Sequence, residues 1–360
     1  MAKFEYSLPK VIRFGRGSRF ELASLLPPGA VLVLCGRHSA ARLQRESSRL
    51  FPGRAVEIFA EIPAEIPLAS VEAARRLGRR IGANSIVGWG GGSAIDAAKA
   101  TAALIGEEYS AADYFYSRRR AAPRHVYFAA LPTTAGTGAE VTANAVLHDE
   151  TTLIKQSLRT PEMAPDAAIV DPDLADHAPF TVMAASGMDA LTQAIESFTS
   201  RNADDSTRFL AGTAAKTLFR FLPDSCGGDA GAVEEVCRAS LMTGIAFSKS
   251  GLGAVHGLAH PLGCVKNLPH GLVCAVLLEK IVRANAARSP QIYRKLNAAL
   301  GFDAVAEIGV LREKLDIPAK FDFTLTDEEI NFIVAHSRSG SMKCNPVAYT
   351  DEELALLLRA

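Results

Sequence analysis

The chain has 360 residues, 48 % apolar and 22 % charged, a length that exceeds one ordinary core and predicts two domains. Its 39 basic and 39 acidic side chains cancel, which removes the electrostatic footprint of a nucleic-acid or anionic-membrane binder. Six scattered cysteines with no CxxC read as reduced thiols of a cytoplasmic protein rather than a disulfide framework or a cysteine zinc site.

In chain order, the opening "MAKFEYSLPKVIRFG" carries no long apolar core, and no run approaches about 18 apolar residues, so neither secretion nor membrane spanning is expected. "AVLVLCG" (30–36) is a buried-strand run and "ASVEAARRLGRRIGA" an amphipathic helix. "SIVGWGGGS" reads as strand then glycine turn, and "AIDAAKATAALIG" as the next helix. The arginine run "SRRRAAPRH" (117–125) reads as a solvated loop. "RHVYFAALPTT" (124–134) and "DAAIVDPDL" (166–174) add two strands, and this alternation predicts a parallel sheet with crossover helices. From about Pro179 onward, Ala/Leu-rich windows with helical spacing take over and β-branched runs nearly vanish. The expected organisation is an α/β domain over residues 1–175 joined to an all-helical domain over 176–360, without internal repeats.

Gly90, Gly91, Gly92 and Ser93 fall between a strand and a helix. Bare backbone there admits a diphosphate, and the free N–H groups of a helix start bind anions. The spacing is neither GxGxxG nor GxxxxGK[ST]; a tight turn alone accounts for one glycine, not three. "LPTTAGTGAEVT" (131–142) follows the next strand with hydroxyls and glycines suited to a nucleotide, or equally to a solvent loop.

Asp189, Gln193 and Glu196 stand at i, i+4 and i+7 on one face of a helix beginning at "SGMDALTQ". His256 and His260 are four apart on another, and His270 follows Pro269 at the start of a third. One carboxylate and two or three imidazoles from separate helices make a divalent-metal site with open positions. The alternative, hydrogen-bonded interior histidines, suits one histidine better than three within 15 residues. HExxH is absent, so the zinc-peptidase reading lacks its glutamate base.

Together these stretches resemble the iron-containing, group III alcohol dehydrogenase family, within the dehydroquinate-synthase-like superfamily. "GGGSAIDAAK" is similar to its diphosphate loop and "LPTTAGTGAEVT" to its second nucleotide-contact loop. "GMDALTQAIES" resembles its first metal helix and "GLGAVHGLAHPLG…LPHG" its His-rich helices, a likeness running over about residues 5–345 to "NP" at Asn345–Pro346. It implies a Rossmann-like N-terminal domain with a parallel sheet, an all-α C-terminal domain, and a dinucleotide and metal in the cleft between them. Carried over residue by residue, it implies metal ligation by Asp189, His256 and His270, with His260 beside the nicotinamide. Gly90, Gly91, Gly92, Ser93 and Asp96 match phosphate-loop positions, and Thr133, Thr134, Thr137 and Lys155 match further cofactor contacts.

Two departures qualify the likeness. Gln193 stands where many iron-binding members carry a histidine as fourth ligand, and a neutral amide oxygen is a weak substitute on Fe²⁺ or Zn²⁺. The remaining Asp/His/His set resembles the zinc set of glycerol dehydrogenases. Gly36 stands where NAD-preferring members show an acid; followed by Arg37, it removes repulsion of a 2′-phosphate and adds a cation, which predicts NADP(H) over NAD(H).

The resulting expectation is an NAD(P)-dependent oxidoreductase that interconverts a small primary alcohol and an aldehyde, or a related carbonyl. The metal would polarise the substrate oxygen and His260 would relay the alcohol proton. Asp96 has a competing expectation, a first-turn helix residue satisfying backbone donors. Three other readings stay open. One is a metal-independent, maleylacetate-reductase-like enzyme. Another is a dehydroquinate-synthase-like lyase, for which no dense Lys/Arg set accompanies the histidines. The third is a non-catalytic dinucleotide-binding module, which leaves the histidines unexplained. No nucleic-acid or membrane partner is expected, and a homo-oligomer stays open.

Overall fold

The structure is a computed structural model that describes residues 6–63, 65–152 and 154–359. The chain divides into two compact units, one over Ser7–Ala178 and one comprising Tyr6 with the chain from Pro179 onward.

In the first unit, β1 (Val11–Phe14), α1 (Leu22–Leu25), β2 (Ala30–Cys35), α2 (Arg37–Leu50), β3 (Val56–Phe59) and α3 (Leu68–Arg80) lead into β4 (Ala83–Gly90). Then come α4 (Gly92–Leu104), α5 (Ala111–Phe115), β5 (Tyr127–Pro132), β6 (Asn144–Asp149), β7 (Ile154–Arg159) and β8 (Ala167–Val170). Six strands form an all-parallel sheet in the order β1-β8-β5-β4-β2-β3. On β2, Val31, Val33 and Cys35 enter one apolar cluster with Val87 and Trp89, while Leu32 and Leu34 enter the other with Ile86 and Phe128. A parallel strand covered on both faces reads as an unbroken apolar run rather than an alternation, which is why β2, β4, β5 and β8 are visible in the sequence. β1 and β3 have four residues each and are not fully buried, too little for a periodic signal. The alternation pattern does not foresee the β6–β7 pair, a separate antiparallel ribbon in which Asn144 faces Arg159 and Asp149 faces Ile154.

That ribbon is tied to α4 by a buried cation. Lys99 Nζ donates to Asp96 Oδ1 at 3.0 Å, Thr142 Oγ1 at 2.8 Å and the Asn144 carbonyl at 2.8 Å. Asp96 Oδ2 accepts the Val146 N–H at 2.9 Å. Burial pulls the Lys99 ammonium below the ordinary lysine value, against the pull of Asp96.

Every regular element among the described residues of the second unit is a helix. It contains α6 (Phe180–Thr199), α7 (Asp205–Cys226), α8 (Ala230–Ser250), α9 (Ala254–Lys266), α10 (His270–Arg288), α11 (Pro290–Leu300), α12 (Ala304–Lys314), α13 (Asp327–His336), α14 (Gly340–Cys344) and α15 (Asp351–Arg359). α6 starts directly after Pro179 rather than at the Ser186 of the sequence pattern, because a proline at the N-cap costs no helical hydrogen bond. It packs on α7, α8 and α10 and is buried without interruption from Gly187 to Thr199. No helix among the described residues is long and apolar enough to cross a membrane.

Replacing Lys99 by Met leaves the buried Asp96, Thr142 and Asn144 acceptors unanswered. The expected loss is about 3–5 kcal/mol of stability, read as a lowered urea midpoint with an unchanged slope. An unchanged midpoint would show that the Lys99 contacts do not hold the ribbon.

Candidate functional site

α6 carries Asp189, Gln193 and Glu196 on one buried face, and α9 and α10 bring their first turns to it. Two glycines permit that approach. A Cβ on Gly271 would stand 2.4 Å from the Ala185 carbonyl oxygen, so only glycine lets the start of α10 lie against the α6 backbone one turn before Asp189. A Cβ on Gly253 would stand 2.7 Å from Glu196 Oε1, in the space through which α9 begins. There Glu196 Oε1 accepts the Val255 N–H at 2.6 Å, and Asn345 Oδ1 accepts the Ala254 N–H at 3.1 Å. These bonds satisfy two of the orphan donors of the α9 start.

His256 is held from both sides. Its Nδ1 lies 2.6 Å from Glu196 Oε2 and its Nε2 lies 3.1 Å from Asp189 Oδ1. His270 Nε2 approaches the same Asp189 oxygen at 3.7 Å. Cys274, one turn further along α10, places its Sγ 3.6 Å from His270 Nε2 and 3.9 Å from His256 Nε2. One donor atom from each of Asp189, His256, His270 and Cys274 lies within 4.8 Å of the other three. His260 is outside this group: its half-buried ring stacks on His270 with centroids 4.9 Å apart and planes at 13°. Gln193 donates its amide N–H to Asp189 Oδ2 at 3.1 Å, while its own oxygen is buried with no hydrogen-bond partner among the described residues.

Electrostatics here follows from burial opposed by contact. Burial raises a carboxyl, but the facing His270 and His256 hold Asp189 below the usual carboxylate range. Burial disfavours a charged His256 ring, yet the Cys274 sulfur and the Glu196 and Asp189 carboxylates outweigh it and raise its pKa well above the ordinary value. Burial pushes the Cys274 thiol up to about 12. The donor set fits a divalent cation. A carboxylate and two imidazoles converge, and the far nitrogen of one ring is pinned by a second carboxylate, as metal-bound histidines require.

The sequence-predicted nucleotide residues gather at the C-terminal ends of adjacent strands of the first unit. Gly36 caps α2 after β2, Gly90–Gly92 join β4 to α4, and Thr133, Thr134 and Thr137 follow β5. Thr133 N–H donates to the Gly90 carbonyl at 2.9 Å. A Cβ on Gly92 would lie 2.6 Å from Thr137 Cγ2, and one on Gly91 3.3 Å from Thr134 Oγ1, so the two loops are packed together as far as glycine allows. Neither α2 nor α4 has a side-chain N-cap. β2 leads outward to β3, whereas β4 lies on its other side and leads to β5, so the strand order reverses between β2 and β4. Open α/β sheets bind their ligands at such a reversal. Ser93 lies in the first turn of α4, and Arg37 is exposed at the start of α2.

One expectation is corrected in detail, the first-turn placement of Asp96. Asp96 is the fifth residue of α4, and its oxygens accept from Lys99 and Val146 rather than from its own helix start. Lys155 lies on β7, where its ammonium is engaged by Glu65 at 2.6 Å. Three residues escaped the sequence reading as site members. Glu196 was visible only as part of a polar face, and Asn345 only as part of a motif. Cys274 lies four residues after His270, a helical spacing that places it on the same face but does not by itself mark it as a ligand.

Comparison with known proteins agrees with this geometry. Residues 9–172 match the family described as iron-containing alcohol dehydrogenase, and residues 183–360 match the Fe-containing alcohol dehydrogenase family, C-terminal. The 1-propanol dehydrogenase PduQ of Salmonella typhimurium is 35 % identical over 271 residues, covering 73 % of this chain and 70 % of that protein. Lactaldehyde reductase of Escherichia coli is 39 % identical over 223 residues, covering 61 % of this chain and 58 % of that protein. The crystal structure of sulfoacetaldehyde reductase from Bifidobacterium kashiwanohense in complex with NAD+ superposes with a TM-score of 0.90 at 29 % identity, covering 99 % of this chain and 98 % of that one. On the match of both units and the likeness to PduQ, this chain belongs to the iron-containing alcohol dehydrogenase family.

Proposed function

We propose that the protein interconverts a small primary alcohol and its aldehyde, or a closely related carbonyl, by hydride transfer with NAD(P). The observation that carries this reading is the convergence of Asp189, His256 and His270 from three helices, with Glu196 fixing the His256 ring from behind. The names of the relatives, which specify propanol, lactaldehyde and sulfoacetaldehyde, support a short-chain substrate.

Asp189, His256 and His270 would hold a divalent metal. Bound there, the metal supplies Lewis-acid polarisation of the substrate oxygen, and the dinucleotide supplies or accepts the hydride. Glu196 fixes the tautomer of His256 through Nδ1 and so commits Nε2 to the cation. Gln193 holds Asp189 Oδ2 and leaves Oδ1 toward the imidazoles. His260, stacked on His270 and half-buried, is the group assigned to pass the hydroxyl proton to or from solvent. In the nucleotide unit, backbone at Gly90, Gly91, Gly92 and Ser93 would cradle the diphosphate, with Thr134 and Thr137 beside it. A Cβ on Gly36 would meet nothing within 4 Å, so there is room next to Arg37 for a ribose 2′-phosphate. NADP(H) is therefore the proposed preference.

His256→Ala and His270→Ala are expected to lose bound divalent metal, measured by elemental analysis, together with most activity. His260→Ala should keep the metal while turnover falls about 10²–10⁴-fold with a flattened pH profile. Metal-free wild-type protein that is fully active in chelator would overturn the metal-assisted reading and favour maleylacetate-reductase-type chemistry.

Gly36→Asp should shift the ratio of kcat/KM for NADPH over NADH toward NADH, since the new carboxylate repels a 2′-phosphate and accepts a ribose hydroxyl. Gly91→Val should weaken binding of either cofactor while the thermal midpoint stays close to wild type. A wild-type enzyme that strongly prefers NADH, or a folded Gly91→Val variant with unaltered cofactor affinity, would remove the corresponding assignment.

A further inference from the structure

We infer that Cys274 is the fourth metal ligand of this chain, so that the site is an Asp/His/His/thiolate set suited to zinc rather than iron. The inference rests on the metal-assisted reading above and adds to it the one donor that neither the sequence pattern nor the family likeness supplies.

Gln193 offers the ligand set only a neutral amide oxygen, buried with no hydrogen-bond partner among the described residues, while its nitrogen donates to Asp189 Oδ2 at 3.1 Å. Cys274 is fully buried, one turn after His270 on the same face of α10. The four donor atoms lie within 4.8 Å of one another, and four of their six separations are close to those of a coordination polyhedron. Around a four-coordinate zinc, with nitrogen and oxygen at about 2.0–2.1 Å and sulfur at about 2.3 Å, neighbouring N/O donors stand roughly 3.3 Å apart and N/S donors roughly 3.6 Å apart. The measured edges are 3.1 Å for His256 Nε2–Asp189 Oδ1 and 3.7 Å for His270 Nε2–Asp189 Oδ1. From Cys274 Sγ they are 3.6 Å to His270 Nε2 and 3.9 Å to His256 Nε2. His260 is not needed to complete the set and stays outside it.

Chemistry points the same way. On ligation the thiol gives its proton to solvent and the sulfur binds as thiolate. Asp189 and the Cys274 thiolate then balance the two charges of the cation, which a neutral glutamine cannot do. A soft thiolate beside two imidazoles selects zinc over Fe²⁺, and zinc can expand to five-coordinate when a substrate oxygen joins.

The test is cobalt substitution of the full chain, followed by absorption spectroscopy, with Cys274→Ala and Cys274→Ser as variants. Wild-type protein loaded with Co²⁺ should show visible ligand-field bands and a near-ultraviolet thiolate-to-cobalt charge-transfer band. Both variants should keep ligand-field bands and lose the charge-transfer band. Their zinc affinity should fall by more than the about 10–100-fold that loss of an outer partner costs. Zinc-edge X-ray absorption on wild-type protein, which needs no variant to fold, should show one sulfur at about 2.3 Å. Ligand-field bands without a charge-transfer band, or zinc with no sulfur neighbour, would overturn Cys274 as a ligand and leave the metal-assisted function standing. Failure to bind Co²⁺ or Zn²⁺ at all would remove both.

Discussion

The helical unit is organised by the need to answer Asp189 and Glu196, two carboxylates buried seven residues apart on α6. An isolated buried carboxylate costs several kcal/mol, so every oxygen must find a partner. Glu196 finds the Val255 N–H and the His256 ring; Asp189 finds His256, His270 and Gln193. All of these partners but Gln193 come from the first turns of α9 and α10, so satisfying the charges of α6 dictates where two other helices begin. Gly253 and Gly271 stand at those beginnings because no side chain fits between the helices there. Packing and chemistry are one constraint at this site: the contacts that make burial tolerable also aim two Nε2 atoms at one carboxylate oxygen.

The nucleotide unit solves a different problem with backbone alone. An all-parallel sheet covered on both faces is apolar to its ends, so the polar capacity of the unit is concentrated in the loops that leave the strands. After β4 that loop is glycine, and it packs against the threonine loop after β5 so tightly that Gly92 has no room for a Cβ beside Thr137. The reversal of strand order between β2 and β4 falls at the C-terminal ends of two interior strands, where Gly36 and Gly90 lie near each other. Behind α4, the polar atoms of Lys99 and Asp96 are taken up by each other and by Thr142, Asn144 and Val146. The family likeness of Asp96 is consistent with support of the loop from behind.

Two departures from the family pattern, Gln193 and Gly36, have different structural contexts. Gln193 is buried in contact with Asp189, so its substitution is felt directly in the ligand set, where Cys274 stands with Asp189, His256 and His270. Gly36 borders open space, so its effect is on what can be admitted rather than on what is held. The first is a question of donor chemistry, the second of room and charge.

Much of this was legible in the chain itself. Unbroken apolar runs marked β2, β4, β5 and β8, since burial on both faces leaves no other composition. The Gly90–Gly92 turn and the i, i+4, i+7 spacing of Asp189, Gln193 and Glu196 were local patterns. So was the placement of His256, His260 and His270 on two successive helices. What the chain could not show was which atoms of separate helices share one point in space. That convergence depends on the Gly271–Ala185 and Gly253–Glu196 approaches, contacts between residues far apart in sequence that no periodicity encodes. For the same reason Cys274, scattered among six cysteines with no paired spacing, reads as an ordinary buried thiol until α6, α9 and α10 are packed. Only then does it stand beside His270 and His256, because an α-helix puts residues 270 and 274 on one face and tertiary packing decides what that face meets.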